Sequence, residues 1–184
     1  MSVFQTTFSR ALKVIPSDFC EIPSPNLLIQ SSNTNYDGGT PEVLFDNSLK
    51  FFKSAASEST ASQNNVQYLV NVGDVVYCYD TGLAGTIVEV ISDTKLLLNV
   101  DIFLGSTGLK YFIYQQGAQT GLGNRGAFIY LGGTQNTGDL DVTTLGGERI
   151  VIGKISKPFF PIQVTQVWAK DTTGLDIGEI YAVW

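Results

Sequence analysis

Residues 71–103 read NVGDVVYCYDTGLAGTIVEVISDTKLLLNVDIF, and this stretch decides the fold class. Val75–Tyr79 is rich in β-formers, DTGLAG is a turn, and Thr86–Ile91 is largely β-branched. SDTK is a second turn and Leu96–Val100 follows it, while STGLKYFIYQ (106–115) adds a fourth strand around Tyr111–Tyr114. Short strands at intervals of about 8–12 residues, with turn residues between them, predict a small antiparallel barrel or sandwich.

Outward from this stretch the pattern stays β. GAQTGLGNRG (117–126) is a Gly-rich join that reads as a module boundary. Beyond it, AFIYLGG is a strand ended by glycines, and GDLDVTTLGGERIVIGKI (138–155) reads as a hairpin closed at Gly146–Gly147. PIQVTQVWA (161–169) and GEIYAVW (178–184) supply two more strands. In the first of these the apolar set changes phase between Val164 and Val167, which predicts a bulge near Thr165–Gln166. Trp168 and Trp184 are expected on neighbouring strands with Tyr181 nearby. The last strand, with Ile180 and Val183 to cover, is expected to lie in a core.

The other direction differs. VIPSDFCEIPSPNLLIQ (14–30) carries Pro16, Pro23 and Pro25, and each proline pushes its predecessor toward extended geometry. Residues 1–30 are therefore expected to be an extended arm over a surface, dispensable for the folding of the modules beyond it. SSNTNYDGGTPE (31–42) is a polar loop, and residues 43–70 alone have helical flavour, with a Ser/Asn-rich end that reads as loop or short strand. The expectation is an all-β chain in three parts: an extended N-terminal arm and loop (1–45), a small antiparallel β-barrel module (46–117) and a C-terminal β-sandwich or jelly-roll-like module (118–184).

Composition narrows function. The 184 residues are 43% hydrophobic, so the chain buries a core. Charged residues are 15%, against about 25% in an average soluble protein, and a surface with little charge suits a protein packed among copies. Net charge is −6 without any Lys/Arg cluster, which argues against nucleic-acid binding. No apolar run approaches the ~20 residues of a membrane helix, and residues 1–18 do not read as a signal peptide. Cys20 and Cys78 are too few and too far apart for a disulfide framework or a metal spacing, and are expected reduced, buried and inert.

The chain has no histidine, which removes the commonest general base and transition-metal ligand. No phosphate loop or dinucleotide fingerprint is present. Asp139 and Asp141 lie two apart on a strand, a spacing open to Ca²⁺ ligation; no third acid is near in sequence, so the solvent face of the hairpin is the preferred reading. Eight tyrosines fit either cross-strand packing, which is preferred, or a sugar-stacking surface. No catalytic, cofactor-binding or metal-binding residue is assigned, and the chain is expected not to be an enzyme.

Two segments carry a resemblance. VGDVVYCYDTGLAGTIVEVISDTKLLLNVDIF followed by YFIY resembles a small β module of structural proteins from tailed bacteriophages, especially marine and cyanobacterial ones. GAFIYLGG through YAVW resembles the C-terminal segment of phage virion proteins, spike-base proteins of phage-like particles among them. It does so through Gly138–Asp139, VTTLGG, PIQVTQVWAKDTTGLDI and the final YAVW. ALKVIPSDFCEIPSPNLLI (11–29) resembles the arm that precedes such modules. KISKPFFP (154–161) and an inserted TQNT (134–137) depart from the pattern.

The resemblance implies a non-enzymatic capsid-surface protein, a decoration (cement) protein or the base of a head spike, that stabilises capsomer joints. It implies assembly as a homotrimer or larger against the major capsid protein, with other virion proteins as further candidates, after synthesis in the host cytoplasm. Alternatives are a neck, tail or baseplate adaptor and a carbohydrate-binding attachment module. The expected interface residues are Leu12, Val14, Phe19, Ile22 and Leu27 on the arm and Trp168, Tyr181 and Trp184 near the C-terminal strand.

Overall fold

The computed structural model describes residues 9–35, 42–48, 51, 70–117, 126–132, 138–153, 159–170, 172–173 and 180–184. Most of the stretch with helical flavour, residues 52–69, lies outside the described residues. Among those described, the chain is all-β, with twelve strands and no α-helix. The strands form two six-stranded antiparallel sheets.

The first sheet runs β2 (Leu27–Ser32), β7 (Lys110–Tyr114), β4 (Val75–Cys78), β5 (Leu83–Ser92), β6 (Lys95–Leu98), β3 (Val43–Phe45). Its centre is the meander expected from residues 71–103. Register shifts between Ile87 and Glu89, and again between Val90 and Ser92, bend the ten-residue β5, because an extra residue in one strand raises the local twist. The sheet curls into a half-barrel whose outer strands meet at an Asn35–Phe45 bridge. Val76, Cys78, Ile87, Leu96, Leu98 and Ile113 fill its inside with Leu44 and Phe51.

Where the ends of this sheet meet, Asp46 is buried and accepts hydrogen bonds from Ser31 Oγ (2.6 Å), Tyr111 Oη (2.6 Å), Ser48 Oγ (2.5 Å) and Ser48 N (2.8 Å). Burial alone raises its carboxyl, but these donors together outweigh burial and hold it below its usual 3.8. A depressed carboxylate stabilises the fold above its unfolded pKa, and that contribution is lost as pH falls through the lower folded value. Buried Asp74, which accepts the N–H groups of Asn71 and Gln116, is instead pushed above 3.8 by burial and contributes in the opposite sense. Thermal melts from neutral pH down to about pH 2 should show an acid-labile component starting below 3.8. Asp46→Asn should be less stable at neutral pH and should lack that component.

The second sheet runs β1 (Ala11–Lys13), β12 (Ile180–Val183), β8 (Ala127–Leu131), β11 (Phe159–Val167), β9 (Leu140–Thr144), β10 (Arg149–Ile152). The hairpin β9–β10 turns at residues 145–148, where Gly147 has φ +88°, a left-handed conformation open to glycine without strain. The β11–β9 register shifts between Val164 and Gln166, the position of the expected bulge. Ile129, Leu140, Val142, Val164, Ile180 and Ala182 form the core face.

Three expectations change here. The arm does not lie outside the modules. It is extended and its proline-bearing part is free of helix, but β1 is a strand of the second sheet and β2 a strand of the first, so its described residues contribute to both sheets. The unpaired edges of β12 and β7 take up those backbone groups. Trp168 and Trp184 are not on neighbouring strands, because β8 lies between β11 and β12. Asp141 is not on a solvent face, being fully buried.

Candidate functional site

The feature that organises this molecule is the seam between its sheets. Val76 and Cys78 of β4 point into the half-barrel, so Val75 and Tyr77 point out of it. They are buried all the same. Their cover is β1 and the segment after it: Leu12, Ile15 and Cys20 pack with Val75, Tyr77, Ala84 and Tyr114 into a separate apolar cluster. Tyr77 meets Tyr79 and Tyr114 edge-on at centroid distances of 5.9 and 5.5 Å, and Tyr79 meets Phe112 at 5.2 Å. Such pairs add about 0.5–1.5 kcal/mol each beyond burial.

Hydrogen bonds tie the same segment to both sheets. Toward the half-barrel, Ser17 Oγ donates to the Ala84 carbonyl (3.1 Å) and Tyr79 Oη to the Lys13 carbonyl (3.0 Å). Asn99 Nδ2 donates to the Phe19 carbonyl (2.8 Å). Toward the second sheet, Val14 N donates to Ile180 O (2.8 Å), Ser17 N to Val167 O (2.9 Å) and Ile22 N to Thr165 O (2.8 Å). Gln166 Nε2 donates to Ser17 O (2.9 Å). Extended backbone in residues 14–22 thus bonds to both neighbours, and prolines at 16 and 23 keep it from folding on itself.

The eight residues expected at an interface divide. Leu12 and Val14 are buried in the chain's own clusters, as is Ile22. Trp184 is half-buried and packs against both the second-sheet core and the seam cluster, with its N–H bonded to Arg10 O (3.1 Å) and its carbonyl to Ser9 N (2.8 Å). Tyr181 is half-buried beside Tyr130. Phe19 and Leu27 stay in solvent at 53% and 47% exposure.

Trp168 belongs to another group. Arg149 grips the buried Asp141 carboxylate through Nε (3.2 and 3.1 Å) and Nη2 (2.5 Å), and its guanidinium stacks 4.0 Å over the Trp168 ring. Trp168 Nε1 donates to Thr143 Oγ1 (2.8 Å). Removing the cation while keeping the stem, as Arg149→Met, strands a buried carboxylate; because Arg149 is 43% exposed, the low end of the usual range applies, about 3 kcal/mol. Urea denaturation should register that loss, and Asp141→Asn with Arg149→Met should restore part of it.

Sequence reading missed the tyrosines of the seam. The signal was present: VVYC is an unbroken apolar run, and a strand apolar on both faces needs cover on both. What supplies that cover lies about sixty residues away in the chain and carries no local mark.

The two cysteines are free and buried, and burial pushes the Cys20 thiol up to about 11, so its reactive thiolate is scarce at neutral pH. Among the described residues no group of three or more His, Cys, Asp or Glu is placed to hold a metal ion. No protein-family model, curated protein or solved structure matches the chain.

Proposed function

We propose that this chain is a non-enzymatic structural protein of a tailed-phage virion, set on the capsid surface as a decoration protein or as the base of a head spike. The reading rests on the sequence resemblance, and one structural observation supports it. Among the described residues, eleven large apolar side chains stand in solvent, on the arm and on both sheets, while charged residues are only 15% of the chain. Phe19, Leu27 and Leu28 lie on the arm side, Val88 and Ile91 on β5, and Tyr130, Val151 and Ile162 on the second sheet. Burying such groups against neighbours yields about 25 cal/mol per Å² of apolar area, less the cost of ordering. Many modest contacts of this kind hold capsomer joints against internal pressure.

In this reading the chain is made in the host cytoplasm, assembles as a homotrimer or larger and joins the major capsid protein. Light scattering on the isolated protein at micromolar concentration should give the mass of three or more chains, and a clean monomer counts against the proposal. Densitometry of purified particles against the major capsid protein tests the location. On the order of hundreds of copies places it on the capsid, whereas about 6–18 copies, as in symmetric rings, makes it a neck or tail adaptor. Absence from the particles overturns the virion reading.

A further inference from the structure

A cleft of about 340 Å³ opens where the two sheets and the 17–22 segment meet. It is within the range of small-ligand sites, about 300–1,000 Å³, and junctions of this kind are where such sites concentrate. Its described lining mixes aromatic, aliphatic and polar groups, with carboxylates but no Lys or Arg.

Two rings contribute to it. Phe19 stands 53% exposed at the cleft. Trp168 is already immobilised: Arg149 lies over its ring and Thr143 holds its Nε1. A ring fixed before binding loses little freedom on binding.

The polar group between the sheets is Gln116. Its backbone N–H is spent on Asp74 Oδ1 (3.0 Å), but its side-chain amide makes no hydrogen bond with any described residue. That amide rests directly on Gly73, where a Cβ would come within 2.4 Å of Gln116 Oε1. Gly73 has φ +97°, so the backbone there suits glycine, and glycine leaves the space the amide occupies. An amide both donates and accepts, and this one is unspent among the described residues.

The carboxylates are engaged already. Asp18 Oδ1 accepts the N–H groups of Ala169 (3.1 Å) and Lys170 (3.2 Å), and Glu21 also has a partner. Without a cation in the described lining, a phosphate or other anion finds no counter-charge. With the Asp18 carboxylate already partnered, a cation gains less than the bare acid count implies.

We propose that this cleft binds a neutral saccharide. The C–H face of a sugar ring packs on Phe19 and the free part of Trp168, and its hydroxyls exchange hydrogen bonds with the Gln116 amide and the Thr86 hydroxyl at the wall. The assignment is independent of the virion reading.

The test is protein-observed NMR on the full chain, titrated with glucose, galactose, mannose, N-acetylglucosamine, maltose and lactose. At least one sugar should give saturable shifts at the Trp168 indole N–H and at the amides of Phe19 and Gly117, with a dissociation constant on the order of 1 mM. Phe19→Ala removes an exposed ring and Gln116→Ala an amide with no hydrogen bond to a described residue, so both should melt like the parent and bind at least ~10-fold more weakly, the factor that one good contact carries. No saturable shift with any of the six sugars overturns the proposal. So does unchanged binding in both variants, or tighter binding of choline or lysine amide than of every sugar, which makes the cleft a cation site.

Discussion

A chain cut after Ile180 should fail to form the second sheet. Residues 181–184 contain most of β12, which sits between β1 and β8 and pairs with both: Leu12 with Ala182, Ala182 with Ile129, Lys13 with Tyr181, Tyr181 with Tyr130. Removing it deletes a strand from inside the sheet and leaves two sets of backbone groups unpaired. It also removes Ala182 and Val183 from buried positions and Trp184 from two clusters at once. Together these losses are comparable to the 5–15 kcal/mol that holds a typical fold. The truncated chain should show lost near-ultraviolet circular dichroism and no cooperative melt for this part, and a melt like the parent's would show that β12 is dispensable. Trp184→Ala is the milder companion. It should cost about 3 kcal/mol, at the low end for a buried aromatic because the ring is only half-buried. At about 2–4 °C per kcal/mol for a chain of this size, its melting temperature should fall by about 6–12 °C.

Removing residues 1–30 should also prevent folding, against the expectation that the arm is separable. The deletion takes β1 from the edge of the second sheet and the first four residues of β2 from the first. It uncovers Val75, Tyr77, Ala84 and Tyr114, which are buried under Leu12, Ile15 and Cys20. A fully buried aromatic alone accounts for about 3–5 kcal/mol when its packing is lost, and here the cover of a whole strand face goes with it. The truncated protein should be insoluble or should bind a hydrophobic dye strongly; a soluble, cooperatively melting product would show that residues 1–30 are an appendage. A point variant reports on the same cover without deletion. Ile15→Asp places a charge in the seam and should lower the melting temperature of the whole chain, because the seam joins both sheets.

The fold class was legible locally. Alternation and turn spacing in residues 71–103 are properties of neighbouring residues, and β4, β5 and β6 fall where that pattern puts them. The β9–β10 turn and the β11 bulge were legible for the same reason, since a glycine pair and a phase change are both read within a few residues. The candidate site was legible only in part. Tyr77 and Val75 announced by their burial-demanding run that something covers them. Neither their own strand nor its turns says what, because Leu12 and Ile15 reach them through the topology. Asp141 misled for a related reason. Alternation with Leu140 and Val142 puts it on the opposite face, but whether that face is wet depends on Arg149 and Trp168, brought over it by β10 and the end of β11.

By itself, then, the amino-acid sequence determined that this chain is all-β, that its proline-bearing N-terminal segment runs extended, and that Cys20 and Cys78 stay apart. These follow from side-chain period, from the fixed φ of proline and from spacing, none of which needs a partner. Only the tertiary structure decided that the extended segment gives one strand to each sheet, that β8 separates the strands leading to the two tryptophans, and that Trp184 closes a seam. An extended segment has backbone groups free along both edges, and which edge it satisfies is a matter of strand order, set by the total burial of all the faces together.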